Sequence, residues 1–269
     1  MEEVVGAMEN GKLVRSVTRL LPIVSLLAVV VIWQIVVSAG LSGHLVPSPT
    51  RVAEQFWRML VQPVGRLTLI GHVCWSLRRV LTAFLVAAFL GVPLGLFMGW
   101  NRKFEAVVKP IFEIFRPIPP IAWIPLAILW FGIGETPKIF ICWVGAFVPA
   151  VMNAYTGIRF TDPLLLDAAR TLGARGRQLF LEVAVPSALP AIFAGLQNGL
   201  SLGWMCVLAA EMVGAREGAG YLILLGMDMS SPAMIIAGML TIGGVGAFIA
   251  VGLRYLEKRV CPWLRAVTG

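Results

Sequence analysis

Six apolar stretches without a charged residue constrain the fold of this chain more than any other feature. They cover residues 20–41, 80–100, 117–134, 139–158, 183–210 and 229–253. A helix needs about 20 apolar residues to cross about 30 Å of hydrocarbon, and only the stretch at 117–134 is short. That stretch extends back through Val107, Ile111 and Phe115. The sequence therefore predicts an all-α, polytopic membrane protein with about six transmembrane helices.

The composition agrees with a membrane protein. Hydrophobic residues make up 58% of the 269-residue chain and charged residues 13%, and the mean hydropathy is +0.86. A soluble domain of this length needs far more polar surface. The net charge is +8, but no basic run is interleaved with aromatic residues, so no nucleic-acid partner is predicted. The two histidines and four cysteines are scattered, and no metal site is predicted.

The positions of lysine and arginine indicate an orientation in the membrane. If the N-terminus is cytoplasmic, most of the 22 positive residues fall in cytoplasmic segments, which agrees with the positive-inside rule. Six spans then place both termini in the cytoplasm. The predicted organisation is a cytoplasmic tail at 1–19, a transmembrane domain at 20–258 and a second cytoplasmic tail at 259–269. The domain includes a long cytoplasmic loop at 159–185.

A short amphipathic helix is predicted in the outer loop at 42–73. Val52, Phe56, Met59 and Leu60 recur at helical spacing there, and we expect this helix to lie on the outer membrane face.

Two spans carry small residues at every fourth position, which lets neighbouring helix backbones approach closely. The first set is Ala87, Gly91, Gly95 and Gly99, and the second is Ala191, Gly195, Gly199 and Gly203. The first set predicts packing within the subunit. For the second set, packing within the subunit and contact with another subunit both remain open.

Prolines interrupt the third span at Pro117, Pro119, Pro120 and Pro125. Each removes a backbone donor and disfavours helix at the preceding residue, so we expect a break at Pro117–Pro120. Glu113 and Arg116 precede that break and are three residues apart. Arg116 is a candidate functional residue because charges within a membrane span are costly and often functional, although an internal ion pair with Glu113 is the favoured interpretation.

The loop at 159–185 contains a predicted helix with an apolar stripe. Asp162 and Pro163 form a helix start, and Gly173 ends the helix. The stripe consists of Leu165, Ala168, Ala169 and Leu172. A loop has little core of its own, so the stripe must pack on the helices of this chain or in the groove of a partner.

The same loop resembles the coupling loop of bacterial ATP-binding-cassette (ABC) importer permeases. That pattern is Glu-Ala-Ala, three residues, Gly, nine residues, Ile-x-Leu-Pro. This chain has Asp167-Ala168-Ala169, then Gly173, then Val183-x-Val185-Pro186, with the same spacing. The run from Arg116 to Glu135 and the segment Leu45–Pro49 are similar to the taurine, alkanesulfonate and nitrate branch of that family.

The resemblance implies a type I ABC importer permease fold and a transport subunit of the bacterial inner membrane. It implies two permease copies, most simply a homodimer, two cytoplasmic ABC ATPase subunits and an extracytoplasmic substrate-binding protein. ATP and magnesium would belong to the ATPase, and this chain would hold no cofactor. Helix 163–172 would couple the subunits through the motif residues Asp167, Ala168, Ala169, Leu172, Gly173 and Pro186. The solute would be small and anionic, such as taurine, another sulfonate or nitrate.

A secondary transporter and a membrane enzyme are the two other classes of function that such a chain could have. No G-x-x-x-x-G-K-[ST] phosphate loop occurs, so energy must come from another chain or from an ion gradient. A secondary transporter driven by such a gradient should carry acidic residues within its spans, and Glu113 is the one candidate. A membrane enzyme is disfavoured because no loop holds a nucleophile and base.

Glu211 completes the candidates for the substrate path, together with Arg116 and Glu113. It lies near the outer end of the fifth span. The sequence allows it to pair with Arg78 or Arg79 or to face the binding protein, and the structural pair is favoured.

Overall fold

A computed structural model describes residue 21 and residues 24–40 and 46–262. Those residues form helices, with one isolated β-bridge between Val64 and Leu67. The helices are α1 (Val24–Ser38), α2 (Pro49–Val61), α3 (Leu69–Trp100), α4 (Arg102–Phe115), α5 (Ile124–Phe131), α6 (Glu135–Arg159), α7 (Pro163–Thr171), α8 (Val185–Gly214), α9 (Ala219–Asp228) and α10 (Pro232–Val260). A 3-10 turn at Pro120–Trp123 precedes α5, and a π-helical segment at Leu179–Ala184 precedes α8.

The described helices include four of the predicted spans, or five if the bent third segment is counted as one span. Four are long and apolar enough by themselves, namely α3, α6, α8 with its π-helical segment, and α10. The fifth consists of α4 and the segment Pro120–Phe131, which meet at a bend of 81°. This bend confirms the predicted break, since the prolines around it cannot donate backbone hydrogen bonds. The predicted first span and the tail at 1–19 fall wholly or partly outside the described residues, and α1 alone is shorter than a span.

Helix α6 lies between α3 and α8 and makes its most extensive contacts with them. On α3, a Cβ added to Gly99 would lie 2.7 Å from Ile158 Cβ, and one added to Gly95 would collide with Val151 O. Positions 91, 95 and 99 of α3 thus lie beside positions 150, 154 and 158 of α6, respectively. Because the contacts advance in the same direction along both helices, the two helices are parallel. The predicted packing of the α3 stripe within the subunit is confirmed.

The α8 stripe packs on the opposite side of α6. A Cβ on Gly199 would lie 2.7 Å from the carbonyl oxygen of Ala146, and one on Gly195 would meet Asn153. The second set of small residues therefore also packs within this chain.

The two ends of the bundle follow from the directions of its helices, since α8 runs antiparallel to α6. One end, named the α7 end here, contains Trp100, Arg159 and Val185. Leu69, Glu135 and Gly214 share the other, named the Arg79 end.

Helix α2 has the predicted amphipathic pattern, but its apolar side packs on protein. Val52 and Met59 are buried in a cluster with Leu69, Leu222 and Met234, and Phe56 and Leu60 pack against that cluster. The apolar side of this helix is thus not free to enter a membrane, and the position of the helix at the outer membrane face stays a prediction. Its apolar side is taken up by α3, α9 and α10.

Replacing Gly95 with alanine is expected to lower the stability of the bundle by about 1–3 kcal/mol, because the added methyl group overpacks the α3–α6 contact. Gly243→Ala on α10 is the matched control, since its added Cβ meets nothing within 4 Å. There, better helix propensity should stabilise by up to about 1 kcal/mol. Thermal unfolding of both purified variants in detergent tests this, and equal shifts in Tm would reject the packing account.

Candidate functional site

Helix α7 begins with the predicted cap. The side chain of Asp162 accepts a hydrogen bond from the backbone N–H of Leu164 at 2.8 Å, and Pro163 occupies the first turn. Proline suits that position because its missing N–H would have no partner within the helix. The start of α7 is thus determined by its own two residues.

The end of α7 is a Schellman turn built on Gly173. The N–H of Gly173 donates to the carbonyl of Arg170 at 3.0 Å, and the N–H of Ala174 donates to the carbonyl of Ala169 at 3.0 Å. Gly173 has φ of +91°, a left-handed conformation that favours glycine. The motif glycine therefore stops the helix at a fixed point and turns the chain back toward the bundle.

The apolar stripe of α7 is largely exposed in this single chain. Leu172 is 90% exposed and Leu165 50% exposed, Ala168 is also exposed, and Ala169 is half-buried. A different residue, Leu166, packs against the cluster around Ile158 and Ala184. The stripe was predicted to pack either on the helices of this chain or in the groove of a partner. The helices of this chain leave it largely exposed.

The remaining motif residues flank this surface. The carboxylate of Asp167 pairs with Arg170 at 2.7 Å, and both side chains are more than half exposed, so the pair contributes little to stability. Pro186 lies in the first turn of α8, directly after the π-helical segment at Leu179–Ala184. The structure thus brings five predicted residues together on α7 and its turn, and places Pro186 one segment further along.

A buried arginine joins three helices at the Arg79 end. Arg79 is 2% exposed, and its Nη1 donates to Glu211 Oε1 at 2.6 Å and to the carbonyl oxygen of Glu217 at 2.8 Å. Its Nη2 donates to Glu135 Oε1 at 2.7 Å, and Lys138 Nζ lies 2.9 Å from the same carboxylate oxygen. The pairing of Glu211 with Arg79 is therefore present and connects α8 with α3, and Glu135 adds α6 to the cluster.

Polar groups of α3 complete this cluster. Ser76 Oγ donates to Glu211 Oε1 at 2.7 Å, and the N–H of Gly220 donates to Glu211 Oε2 at 2.9 Å. His72 Nδ1 accepts from the N–H of Gly218 at 3.1 Å, so its Nε2 carries the proton and donates to the carbonyl of Val64 at 2.9 Å. The loop between α8 and α9 is thus held against α3.

Sequence reasoning missed His72, Ser76 and Glu135 in this cluster. A signal was present for two of them, because His72, Ser76 and Arg79 recur at i, i+4 and i+7 on one side of α3, as residues on one buried helix face do. Nothing near Glu135 in the sequence indicates that its partner lies 56 residues earlier.

The predicted ion pair between Glu113 and Arg116 is not formed in the structure. Arg116 is the C-cap of α4, with helical φ and ψ and its N–H bonded to the carbonyl of Phe112, so the helical backbone reaches this residue and the side chains diverge beyond it. Arg116 lines an apolar cavity beside the break, whereas Glu113 lines a charged hollow with Arg102, Lys109 and Arg159. Both residues are exposed, and both lie far along the chain from Glu211.

Metal-binding groups do not converge within the described residues, where no set of three or more histidine, cysteine, aspartate or glutamate side chains could hold an ion. The described residues combine four apolar spans and one broken apolar segment with an exposed apolar helix in the loop before α8. These features define the class of the chain as a multi-span membrane protein.

The chain matches the family described as binding-protein-dependent transport system inner membrane component over residues 91–262. It is 35% identical to the taurine transport system permease protein of Escherichia coli, with 93% of this chain and 90% of the relative covered. It is 37% identical to a putative ABC transporter permease of Methanocaldococcus jannaschii, with 87% and 88% covered. A nitrate import permease protein of Synechocystis is 32% identical, with 90% and 89% covered.

Solved structures agree on the fold. The chain is similar to a methionine ABC transporter in an inward-facing conformation, with a TM-score of 0.57, 21% identity and coverage of 71% of this chain and 97% of the other. An amino acid ABC transporter gives a TM-score of 0.57 at 15% identity, with 79% and 95% covered.

The chain belongs to the inner membrane permease family of binding-protein-dependent ABC importers. It is the transport subunit and not the catalytic one. Membership in this family also decides against a secondary transporter driven by an ion gradient.

Proposed function

We propose that this chain forms the translocation pathway of an ABC importer for a small organic anion and receives its energy through α7. The exposed stripe of α7, held between the Asp162 cap and the Gly173 turn, carries the proposal. A protein surface that keeps leucines such as Leu172 in water suits the groove of a partner. That partner is a cytoplasmic ATPase, present in two copies, which holds the ATP and magnesium.

The α7 end is proposed to face the cytoplasm, with both termini on that side. Positive side chains gather there, as cytoplasmic segments require. They are Arg102, Lys103, Lys109, Arg159, Arg170, Arg175, Arg177, Arg254, Lys258 and Arg259. The Arg79 end then faces outward, where an extracytoplasmic binding protein would deliver the solute.

A second copy of the chain is proposed to cover α4. This helix has no buried residue in the single chain, and Val107, Ile111 and Ile114 on it are each more than half exposed. A homodimer would bury this surface and close the pathway between two equal subunits.

The solute is proposed to be a sulfonate, taurine or nitrate. Relatives over most of the chain carry the names of taurine, aliphatic sulfonate and nitrate permeases. All three solutes are small and bear an oxyanion. The cation Arg116 beside the broken span offers such a group several hydrogen-bond donors.

Co-purification tests the proposal directly. The tagged chain, isolated from native membranes in mild detergent, is expected to retain an ATPase with a Walker phosphate loop, and native mass spectrometry should find two copies of each. A tagged α-helical membrane protein of another class, prepared identically, is the control. A chain that purifies intact but without any ATPase, while other membrane complexes survive the detergent, would reject the proposal.

A further inference from the structure

We propose that the exposed face of α8 lines the solute pathway at mid-membrane, with Asn198 and Ser201 as its hydrogen-bonding residues. This inference rests on the proposed function and assigns the part of the chain that the solute meets. Both residues lie near the middle of α8, which runs from Val185 to Gly214. At 1.5 Å per residue they are about 20 Å or more from either end of the helix, so they are level with the hydrocarbon core.

Asn198 and Ser201 are exposed, and their side chains form no hydrogen bond within the described part of the chain. The neighbouring amide of Gln197 faces another side of α8 and donates to Glu257 Oε2 at 2.6 Å. One of two consecutive amides is therefore paired inside the protein, and the other is left open. Because lipid tails cannot pair with an amide, the open side chains require water, a polar ligand or another protein.

The exposed face of α8 differs from the helix faces that suit lipid. At mid-span α3 exposes Leu85 and Phe89, and α10 exposes Phe248, which are bulky apolar side chains typical of contact with hydrocarbon. The face of α8 is smaller and more polar at the same depth. Its exposed residues between positions 194 and 205 are Ala194, Asn198, Ser201, Leu202 and Met205.

This face of α8 borders a recess instead of a flat helix surface. Leu202 follows Asn198 by four residues, so it lies on the same face, and it lines the cavity beside the broken span. On α6, the half-buried Asn153 lies beside Gly195, three residues before Asn198, and adds a second amide. The second copy proposed to cover α4 would enclose this recess. Polar groups at membrane depth are tolerated where they line a water-filled cavity, so the recess favours a pathway.

The two polar residues of this face carry no charge, which determines how they would treat a solute. An amide and a hydroxyl both donate and accept hydrogen bonds, so they can replace water around an oxyanion without holding it by an opposite charge. A pathway must bind its solute weakly enough to release it. A carboxylate at position 198 would instead repel an anion, and this repulsion is stronger at membrane depth than in bulk water.

Cysteine accessibility tests the assignment in the complete importer, reconstituted in proteoliposomes. Asn198→Cys and Ser201→Cys are made in a Cys74→Ser background, because Cys74 is the exposed one of the four cysteines. Both should react with the charged reagent methanethiosulfonate ethylsulfonate about 10-fold faster than Phe89→Cys, since only a thiolate in water reacts. Phe89 is the matched control because it is 79% exposed on α3. The reaction should block uptake at positions 198 and 201 but not at 89.

Uptake of radiolabelled ethanesulfonate and nitrate tests the role of hydrogen bonding at position 198. Asn198→Leu keeps the size of the side chain and removes its polar groups, so uptake should slow about 10-fold, as expected for a lost hydrogen bond. Asn198→Asp keeps the shape and adds a negative charge, so it should slow uptake of both anions further. Asn198→Ser retains a donor and an acceptor and should keep most of the uptake.

Three results would overturn the proposal while each variant still retains its ATPase. These are equally slow thiol reaction at positions 198, 201 and 89, a disulfide between two copies of Asn198→Cys, and unchanged uptake by Asn198→Asp. The first would assign the face to lipid, and the second to contact between subunits. Failure of the wild-type chain to retain an ATPase would instead contradict the proposed function, so the two failures are distinguishable.

Discussion

Replacing Gly173 with proline is expected to abolish uptake while the chain still inserts in the membrane. Gly173 has φ of +91° and donates its N–H to Arg170, whereas proline requires φ near −65° and has no N–H. The Schellman turn would be lost, and the stripe of α7 would no longer meet its partner groove in a fixed orientation. ATPase binding should weaken about 30-fold, equivalent to a hot-spot loss of about 2 kcal/mol.

Gly173→Asn is the matched control at the same position. Asparagine tolerates the left-handed conformation, and a Cβ there would meet nothing within 4 Å. This variant should keep most uptake and ATPase binding. Uptake of radiolabelled taurine, an alkanesulfonate and nitrate, measured beside the amount of chain in the membrane, separates coupling from insertion. Normal uptake by the proline variant would remove α7 from the coupling role.

Replacing Arg79 with alanine is expected to lower the free energy of unfolding by about 3–5 kcal/mol. The change leaves the Glu211 carboxylate, which is fully buried, without its cation, and breaking a buried pair from one side is strongly destabilising. At about 2–4 °C per kcal/mol, Tm should fall by about 6–20 °C. Thermal unfolding in detergent, followed by tryptophan fluorescence, measures the shift.

Arg78→Ala provides the control for this variant on the next residue. Arg78 is exposed and lies over the Trp75 ring at 5.1 Å, a contact that contributes about 1 kcal/mol or less at an exposed site. If both alanine variants lower Tm equally, the cluster is not the source of stability. Exchanging the charges of positions 79 and 211 should not restore Tm, because a glutamate at 79 would face Glu135.

The helices were predictable from the sequence because their causes are local. Each span is an apolar run, the bend follows from prolines without N–H groups, and α7 is delimited by Asp162 and Gly173. All of these act within a few residues. The exposed stripe could also be located, because helical periodicity assigns Leu165 and Leu172 to one face.

Most contacts between distant segments could not be predicted. The periodicity of α2 identified its apolar face, but a membrane and a protein core accept the same residues, so the sequence did not show that this face packs on α3, α9 and α10. The spacing of Glu113 and Arg116 allowed a pair, but it could not show that the two side chains turn to different hollows of the surface. The pairing of Glu211 with Arg78 or Arg79 could be expected from their places at the outer ends of two spans, whereas Glu135, which lies 56 residues after Arg79, is indicated by no local pattern.

The Arg79 cluster also implies an order of events while the protein is being made. Residues leave the ribosome from the N-terminus at about 5–20 per second, so α3 enters the membrane before either of its acidic partners exists. Glu135 arrives first and, being half-exposed, can receive Arg79 near the membrane surface. Glu211 follows and buries the guanidinium as α8 inserts. Helix α8 therefore completes the pairing of a charge that α3 carried into the membrane, and a chain truncated before residue 211 would retain only the half-exposed Glu135 as the carboxylate partner of Arg79.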